Sequence, residues 1–135
     1  MDTLQCAVVL AKLERFGWEL EQRARIAARY ESLLANVPGV QRISVRSDRN
    51  SVYAQYTVMV ENRDAVAAAL KAQGIPTAVH YPRALNQQPA YAAYCCPECC
   101  VNSRWAAEHV LSLPMSADLS AADQERVAAA LFAAA

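Results

Sequence analysis

A chain of 135 residues is long enough to bury a hydrophobic core within one domain, so neither a disulfide framework nor a structural metal is required to keep it folded. Its 13 basic and 13 acidic side chains cancel, which removes any global attraction for phosphate backbones or anionic membrane surfaces and argues against nucleic acid or membrane partners. No apolar run reaches the length of a bilayer span, and the opening MDTLQCAVVLAKLER lacks the basic start and small-residue cleavage site of a secretory leader, so a cytoplasmic location is expected.

Residues 2–36 read as helical. Asp2 followed by Gln5 has the spacing of a capping box, and Cys6, Val9, Leu13, Phe16 and Leu20 recur at steps of three and four along one stripe. A second stripe, Ile26, Tyr30, Leu33, Leu34 and Val37, follows Gly17 and Trp18, so either two helices or one bent helix fits. Asn36-Val37-Pro38-Gly39 then stops the helix.

SVYAQYTVMV alternates with the period of a strand. Val52, Ala54, Tyr56, Val58 and Val60 fall on one face, and Tyr53, Gln55, Thr57 and Met59 on the other. A weaker strand from Gln41 to Val45 precedes it across the turn-rich SDRNS. Asn62 is expected to cap a helix running through Leu70, with Gly74 closing it, and IPTAVHY reads as a further strand. That places His80 and Tyr81 at a strand exit, a common position for binding residues because a rigid element holds them.

Beyond Pro82 the proline-punctuated RALNQQPAYAAYCCPE leads to a helix near Asn102 to Val110, a short edge strand in SLPM, and a last helix opened by Ser120 with Asp123 three residues on. The expected fold class is α+β, a small mostly antiparallel sheet covered by helices. Internal repeats and low-complexity linkers are absent from the sequence.

Four of the five cysteines, Cys95, Cys96, Cys99 and Cys100, crowd into CCPECC. Tetrahedral zinc normally draws two ligand pairs from separate stretches of chain, whereas here both pairs share one loop and no second CxxC or HxxxH accompanies them. An odd cysteine count without a secretory leader argues against a disulfide framework. A thioredoxin-like role also fits poorly, because no strand immediately precedes the CxxC. The cluster therefore reads as a loop bearing thiols, with no metal site assigned.

His80 shares its strand face with the small Ala78 and Pro76, which leaves space above the imidazole for a ligand, although a structural role fits the same pattern. His109, beside Glu108, reads as solvated, and Tyr53 and Gln55 face either ligand or water. The chain has no glycine-rich phosphate loop, no HExxH and no GxSxG. Its two lysines, Lys12 and Lys71, fall on the polar sides of helices. On residue chemistry alone this is not a self-sufficient enzyme.

Several stretches, MDTLQCAVVLAKLE, SVYAQYTVMVENRDAVAAALKAQGIPTAVHYPRALNQQPAY and HVLSLPM, resemble in order and spacing the C-terminal third of the DegT/StrS-type nucleotide-sugar aminotransferases. Within that family they are most similar to the branch that aminates keto sugars derived from UDP-N-acetylglucosamine, including the keto-uronates of bacterial surface polysaccharides. The resemblance implies a fold type I enzyme using pyridoxal 5′-phosphate, with residues 1–36 as a helical connector from a large domain and residues 37–135 as the small α+β domain. It implies that the Schiff-base lysine and the other cofactor contacts lie in an upstream part, so this chain holds neither catalytic nor cofactor-binding residues and is inactive by itself. Glutamate as amino donor, a keto nucleotide sugar as acceptor and a homodimeric parent follow from the same likeness. The HYP motif maps to His80, Tyr81 and Pro82, and substrate-side contacts fall to His80, Tyr81 and Asn86. Where relatives often carry PLHxQ, this chain has Ala84-Leu85-Asn86-Gln87-Gln88, so a proline and a histidine are replaced. Two rival readings remain: a non-catalytic small-molecule-binding module, and a cysteine-based zinc protein.

Overall fold

The computed structural model describes residues 2–91, 93–96 and 98–135; Met1, Ala92 and Pro97 lie outside it, so of CCPECC the four cysteines and Glu98 are described. In chain order the elements are α1 (Thr3–Leu33), β1 (Val40–Arg42), β2 (Tyr56–Val60), α2 (Arg63–Ala72), α3 (Val101–His109), β3 (Val110–Leu113) and α4 (Ala121–Ala134). Short 3-10 turns at Leu85–Gln87 and Pro89–Tyr91 interrupt the long connection before α3. The strands form one antiparallel sheet in the order β1-β2-β3, the α+β arrangement expected.

α1 is a single helix that runs through Gly17 without a break. Its start is the expected capping box: the Gln5 amide donates to the Asp2 carboxylate at 2.8 Å, and the Gln5 side chain accepts from the Asp2 amide at 3.1 Å. Only its C-terminal part is packed, with Ile26, Ala27 and Tyr30 buried. The earlier stripe is solvent-facing, since Val9, Leu13 and Phe16 are all exposed, as are Leu4, Val8 and Leu10 off it. Nothing in the described structure covers that apolar half. An ion pair from Arg15 to Asp118 at 2.7 Å, with the Arg15 guanidinium 4.0 Å above the Trp18 ring, is what touches it.

The core gathers Ile26, Tyr30 and Leu34 of the first segment with Tyr56, Val58 and Val60 of β2, Leu111 and Leu113 of β3, Val66 and Leu70 of α2, and Val127 and Leu131 of α4. Tyr56 pairs with Leu113 and Val58 with Leu111, so the inward residues of two neighbouring strands face the helices together. Three polar links tie α1 to its neighbours around them, the one to α4 fully buried and the other two partly so. The Gln124 amide donates to the Ile26 carbonyl at 2.9 Å, the Tyr30 hydroxyl donates to the Pro114 carbonyl at 3.0 Å, and the Tyr56 hydroxyl donates to Glu31 at 2.7 Å. Ser120 opens α4 as expected, accepting from the Asp123 amide at 3.1 Å.

Four elements differ from the sequence expectation. SVYAQYTVMV is a strand only from Tyr56 onward, because Tyr53 turns into the left-handed region at φ 45° and the β1 partner runs out at Arg42. Val52 and Ala54, left without a covering layer, are exposed. Asn62 precedes α2 in a left-handed conformation and offers its backbone carbonyl to Ala65 and Val66, while its side chain caps nothing. The strand near SLPM begins at Val110, directly after α3, and is mostly buried.

IPTAVHY keeps a single sheet pair, Ala78 with Ser112. The next hydrogen-bonded pairs on either side would join position 76 to 114 and position 80 to 110. Both 76 and 114 are prolines without an N–H, and the Val110 N–H is already given to the Ala106 carbonyl at the end of α3. The segment therefore touches the sheet at one point and leaves it again at His80.

Candidate functional site

His80 and Tyr81 stand on the exposed continuation of that one-point attachment. Ile75 is buried and Thr77 and Val79 are half-buried, while Pro76, Ala78 and His80 face outward, so the alternation carries the imidazole to solvent. Tyr81 is 76% exposed, and its ring meets the His80 ring edge-on with centroids 6.1 Å apart. Both side chains therefore lie outside the core.

The two rings border an open cleft of about 300 Å³, whose other walls come from Arg83, Ala84 and Leu85 and from Ser103 and Ala106 of α3. Arg83, which sequence reasoning passed over, is the cleft's fixed positive charge. Among the described residues no carboxylate lies in ion-pair range of it. Only its place immediately after HYP could have drawn attention to it, since it belongs to no motif. The cleft thus offers an imidazole, a phenol, a guanidinium and the Ser103 hydroxyl, a set suited to hydroxyl and anionic oxygen ligands.

Asn86 lies behind this surface and is buried. Its side-chain amide donates to the carbonyls of Cys96 and Cys99, each at 3.1 Å, and so ties the segment after the cleft to the cysteine loop. Cys96, Cys99 and Cys100 are exposed and Cys95 is half-buried, all as free thiols. Among the described residues no group of three or more potential ligands is arranged to hold a metal ion. His109 does not join the cleft; its Nδ1 lies 2.7 Å from the Trp105 carbonyl and its ring stacks on Trp105 at 4.3 Å. Tyr53 and Gln55 border a separate depression with Ile43, Val45 and Val52.

The chain is thus a small antiparallel sheet backed by helices, with an open cleft at its edge and an apolar helix half left bare. Residues 1–132 match the DegT/DnrJ/EryC1/StrS aminotransferase family, and the chain belongs to it. It is 46% identical over 131 residues to the UDP-2-acetamido-2-deoxy-3-oxo-D-glucuronate aminotransferase of Pseudomonas aeruginosa, an alignment that covers 97% of this chain and 36% of that protein. It is 34% identical over 128 residues to the dTDP-3-amino-3,4,6-trideoxy-alpha-D-glucose transaminase of Streptomyces venezuelae, covering 94% of this chain and 34% of the relative. Among solved structures, S. venezuelae DesV in complex with a ketimine intermediate superposes with a TM-score of 0.91 at 33% identity, over 98% of this chain and 36% of that one. A family aminotransferase from Brucella abortus superposes at 0.88 with 36% identity, over 98% and 35% respectively. The chain therefore spans about a third of the length of the relatives it matches.

Pyridoxal 5′-phosphate, the family's cofactor, is held by these enzymes through a lysine amine. The lysines of this chain do not fit that role. Lys12 is exposed on the bare half of α1, and Lys71 is exposed near the end of α2, on the wall of a different depression lined by Ala67 and Ile75. Neither borders the His80 cleft.

Proposed function

We propose that this chain is the substrate-side part of a pyridoxal-phosphate-dependent aminotransferase that moves an amino group from glutamate to a keto nucleotide sugar for surface polysaccharide biosynthesis. In this reading residues 1–36 are the connector from a large cofactor domain and residues 37–135 the small domain. The cofactor lysine comes from that other domain, the active unit is a cytoplasmic homodimer, and this chain alone does not transaminate. The observation that carries the reading is the outward-facing His80–Tyr81 pair beside an uncompensated Arg83, in a chain 46% identical to an aminotransferase whose name specifies a UDP-linked keto-uronate.

Each group has a task set by its chemistry. Arg83 is the partner for the anionic part of the ligand, a uronate carboxylate or a diphosphate, because a guanidinium presents paired donors to paired oxygens. His80 hydrogen-bonds a sugar hydroxyl or carboxylate, and Tyr81 lays its ring along the sugar and offers its hydroxyl at the rim. Asn86 serves the same surface by fixing the segment that follows it to the cysteine loop. The bare stripe of α1 is the face that the connector buries against the rest of the enzyme.

Calorimetric titration of the chain with UDP-N-acetylglucosaminuronic acid tests the reading. Binding that weakens in both His80→Ala and Arg83→Ala supports it, and binding indifferent to both substitutions, or no binding by the unsubstituted chain at millimolar ligand, contradicts it.

A further inference from the structure

Cys96 and Cys99 are joined in a way their sequence does not announce. The Cys99 amide donates to the Cys96 carbonyl at 3.3 Å, a bond from residue i+3 back to residue i. A turn closed from residue i to residue i+3 holds its end Cα atoms within about 7 Å. A disulfide needs Cα atoms about 4.4–6.8 Å apart, so the turn already sets the spacing. Asn86 fixes it from outside the loop, since one buried amide donates to the carbonyls of both turn ends at 3.1 Å.

The other thiols are placed less well. Cys95–Cys96 and Cys99–Cys100 are sequence neighbours, whose Cα atoms stand about 3.8 Å apart, below the disulfide range. Cys100 is committed to the start of α3, where its carbonyl accepts from Ser103 and Arg104, and Cys95 is half-buried with its amide bonded to the Tyr91 carbonyl. Cys6 lies far off in sequence, on the opening turns of α1.

We infer that Cys96 and Cys99 are a reversible dithiol–disulfide couple, with Asn86 as the positioning residue that holds their turn closed, and with a low-molecular-weight disulfide as the oxidant. The Cys96 thiolate attacks one sulfur of the small disulfide, forming a mixed disulfide and releasing one thiolate, which takes up the proton that Cys96 gave to solvent. The Cys99 thiolate then attacks the Cys96 sulfur and expels the second small thiolate, which is protonated in turn. Two protein thiols are oxidised to one disulfide, and one small disulfide is reduced to two thiols. The hydrogen bond that Cys99 donates, with the backbone amides of Glu98 and Cys99, holds the Cys96 thiol below its ordinary range, while that same bond raises Cys99. Cys96 is thus the attacking thiol and Cys99 the resolving one. Because Asn86 follows Arg83 by only three residues, the couple is joined to the rim of the His80 cleft.

The test treats the full chain with oxidised glutathione, quenches with acid, alkylates the remaining thiols and maps the peptides. A dominant Cys96–Cys99 linkage, reversed by dithiothreitol and with Cys6, Cys95 and Cys100 still alkylated, is expected. Stable glutathione adducts on Cys96 without ring closure, or linkages that join other cysteines or separate chains, would overturn the assignment. Cys99→Ser should trap the glutathione adduct on Cys96, and its absence there tells against the order of attack. Asn86→Ala should slow ring closure at least about fivefold, since it removes two hydrogen bonds and the net contribution of one alone is worth that factor; an unchanged rate removes Asn86 from the couple while the peptide map still decides the cysteines.

Discussion

Ala78 and Ser112 exchange both backbone hydrogen bonds, Ala78 N–H to the Ser112 carbonyl at 3.1 Å and Ser112 N–H to the Ala78 carbonyl at 2.7 Å. This pair is the described sheet contact of the segment that ends in His80. Ala78→Pro removes one of the two donors and leaves the Ser112 carbonyl without its partner. A stability loss of about 1–3 kcal/mol in urea unfolding is expected, with amide exchange accelerating most over residues 75–84.

The bare half of α1 predicts self-association. Leu13 and Phe16 are 55% and 50% exposed on the same stripe, and further apolar side chains surround them. Sedimentation of the chain should show a concentration-dependent rise in mass, and the double substitution Leu13→Glu and Phe16→Glu should remove that rise without lowering the melting temperature, because neither side chain contributes to the core.

Stability should fall in strong alkali. Burial, and then the Asp123 charge, push the Tyr30 hydroxyl up to about 12, and burial, followed by its hydrogen bond to Glu31 and that carboxylate's charge, raises Tyr56 further against a lowering contribution from Arg42. Both phenols ionise near their ordinary value of 10 in the unfolded chain, so above that pH the unfolded state loses protons that the folded state keeps. The contribution is complete below pH 10 and is lost as pH climbs through the folded values. The expected slope is up to about 1.4 kcal/mol per pH unit for each tyrosine. Denaturant melts between pH 9 and 12 of the chain and of Tyr30→Phe measure it, and the variant should decline less steeply.

Arg83 should dominate ligand affinity over His80. A charge-assisted contact is worth about twice a neutral one, so Arg83→Ala should weaken binding of a UDP-linked sugar acid by roughly tenfold or more. The same substitution should leave binding of the neutral sugar without its nucleotide almost unchanged.

Incubation with pyridoxal 5′-phosphate followed by borohydride reduction should leave Lys12 and Lys71 without stoichiometric, saturable labelling, since both amines are exposed and stand away from the cleft. A single lysine labelled one-to-one at micromolar cofactor would contradict the placement of the cofactor amine in another domain.

Local signals in the sequence were reliable wherever a residue's partner lay within a turn of it. Asp2 with Gln5 and Ser120 with Asp123 cap their helices as their spacing dictates, and the alternation of Tyr56, Val58 and Val60 survives because β3 and the helices cover that face. What failed depended on distant partners. The IPTAVHY strand is cut short not only by its own Pro76 but by Pro114 and by the end of α3, both some thirty residues or more from their partners, and the SVYAQ half of its strand has no covering layer. The stripe on α1 has the right period for a buried face, but periodicity does not say whether the covering surface belongs to the same chain. Within the site, His80 and Tyr81 were found at an element's exit, whereas Arg83 became visible only when the cleft placed it beside them.

The central claim is that residues 80–85 and the facing side of α3 form a surface for a nucleotide sugar. The most direct measurement is an isotope-edited NMR titration of the chain with UDP-N-acetylglucosaminuronic acid. Saturable shifts concentrated at His80, Tyr81, Arg83, Leu85, Ser103 and Ala106 are predicted. Shifts confined to the depressions around Trp105 and His109 or around Tyr53, or an unperturbed spectrum at millimolar ligand, would contradict it.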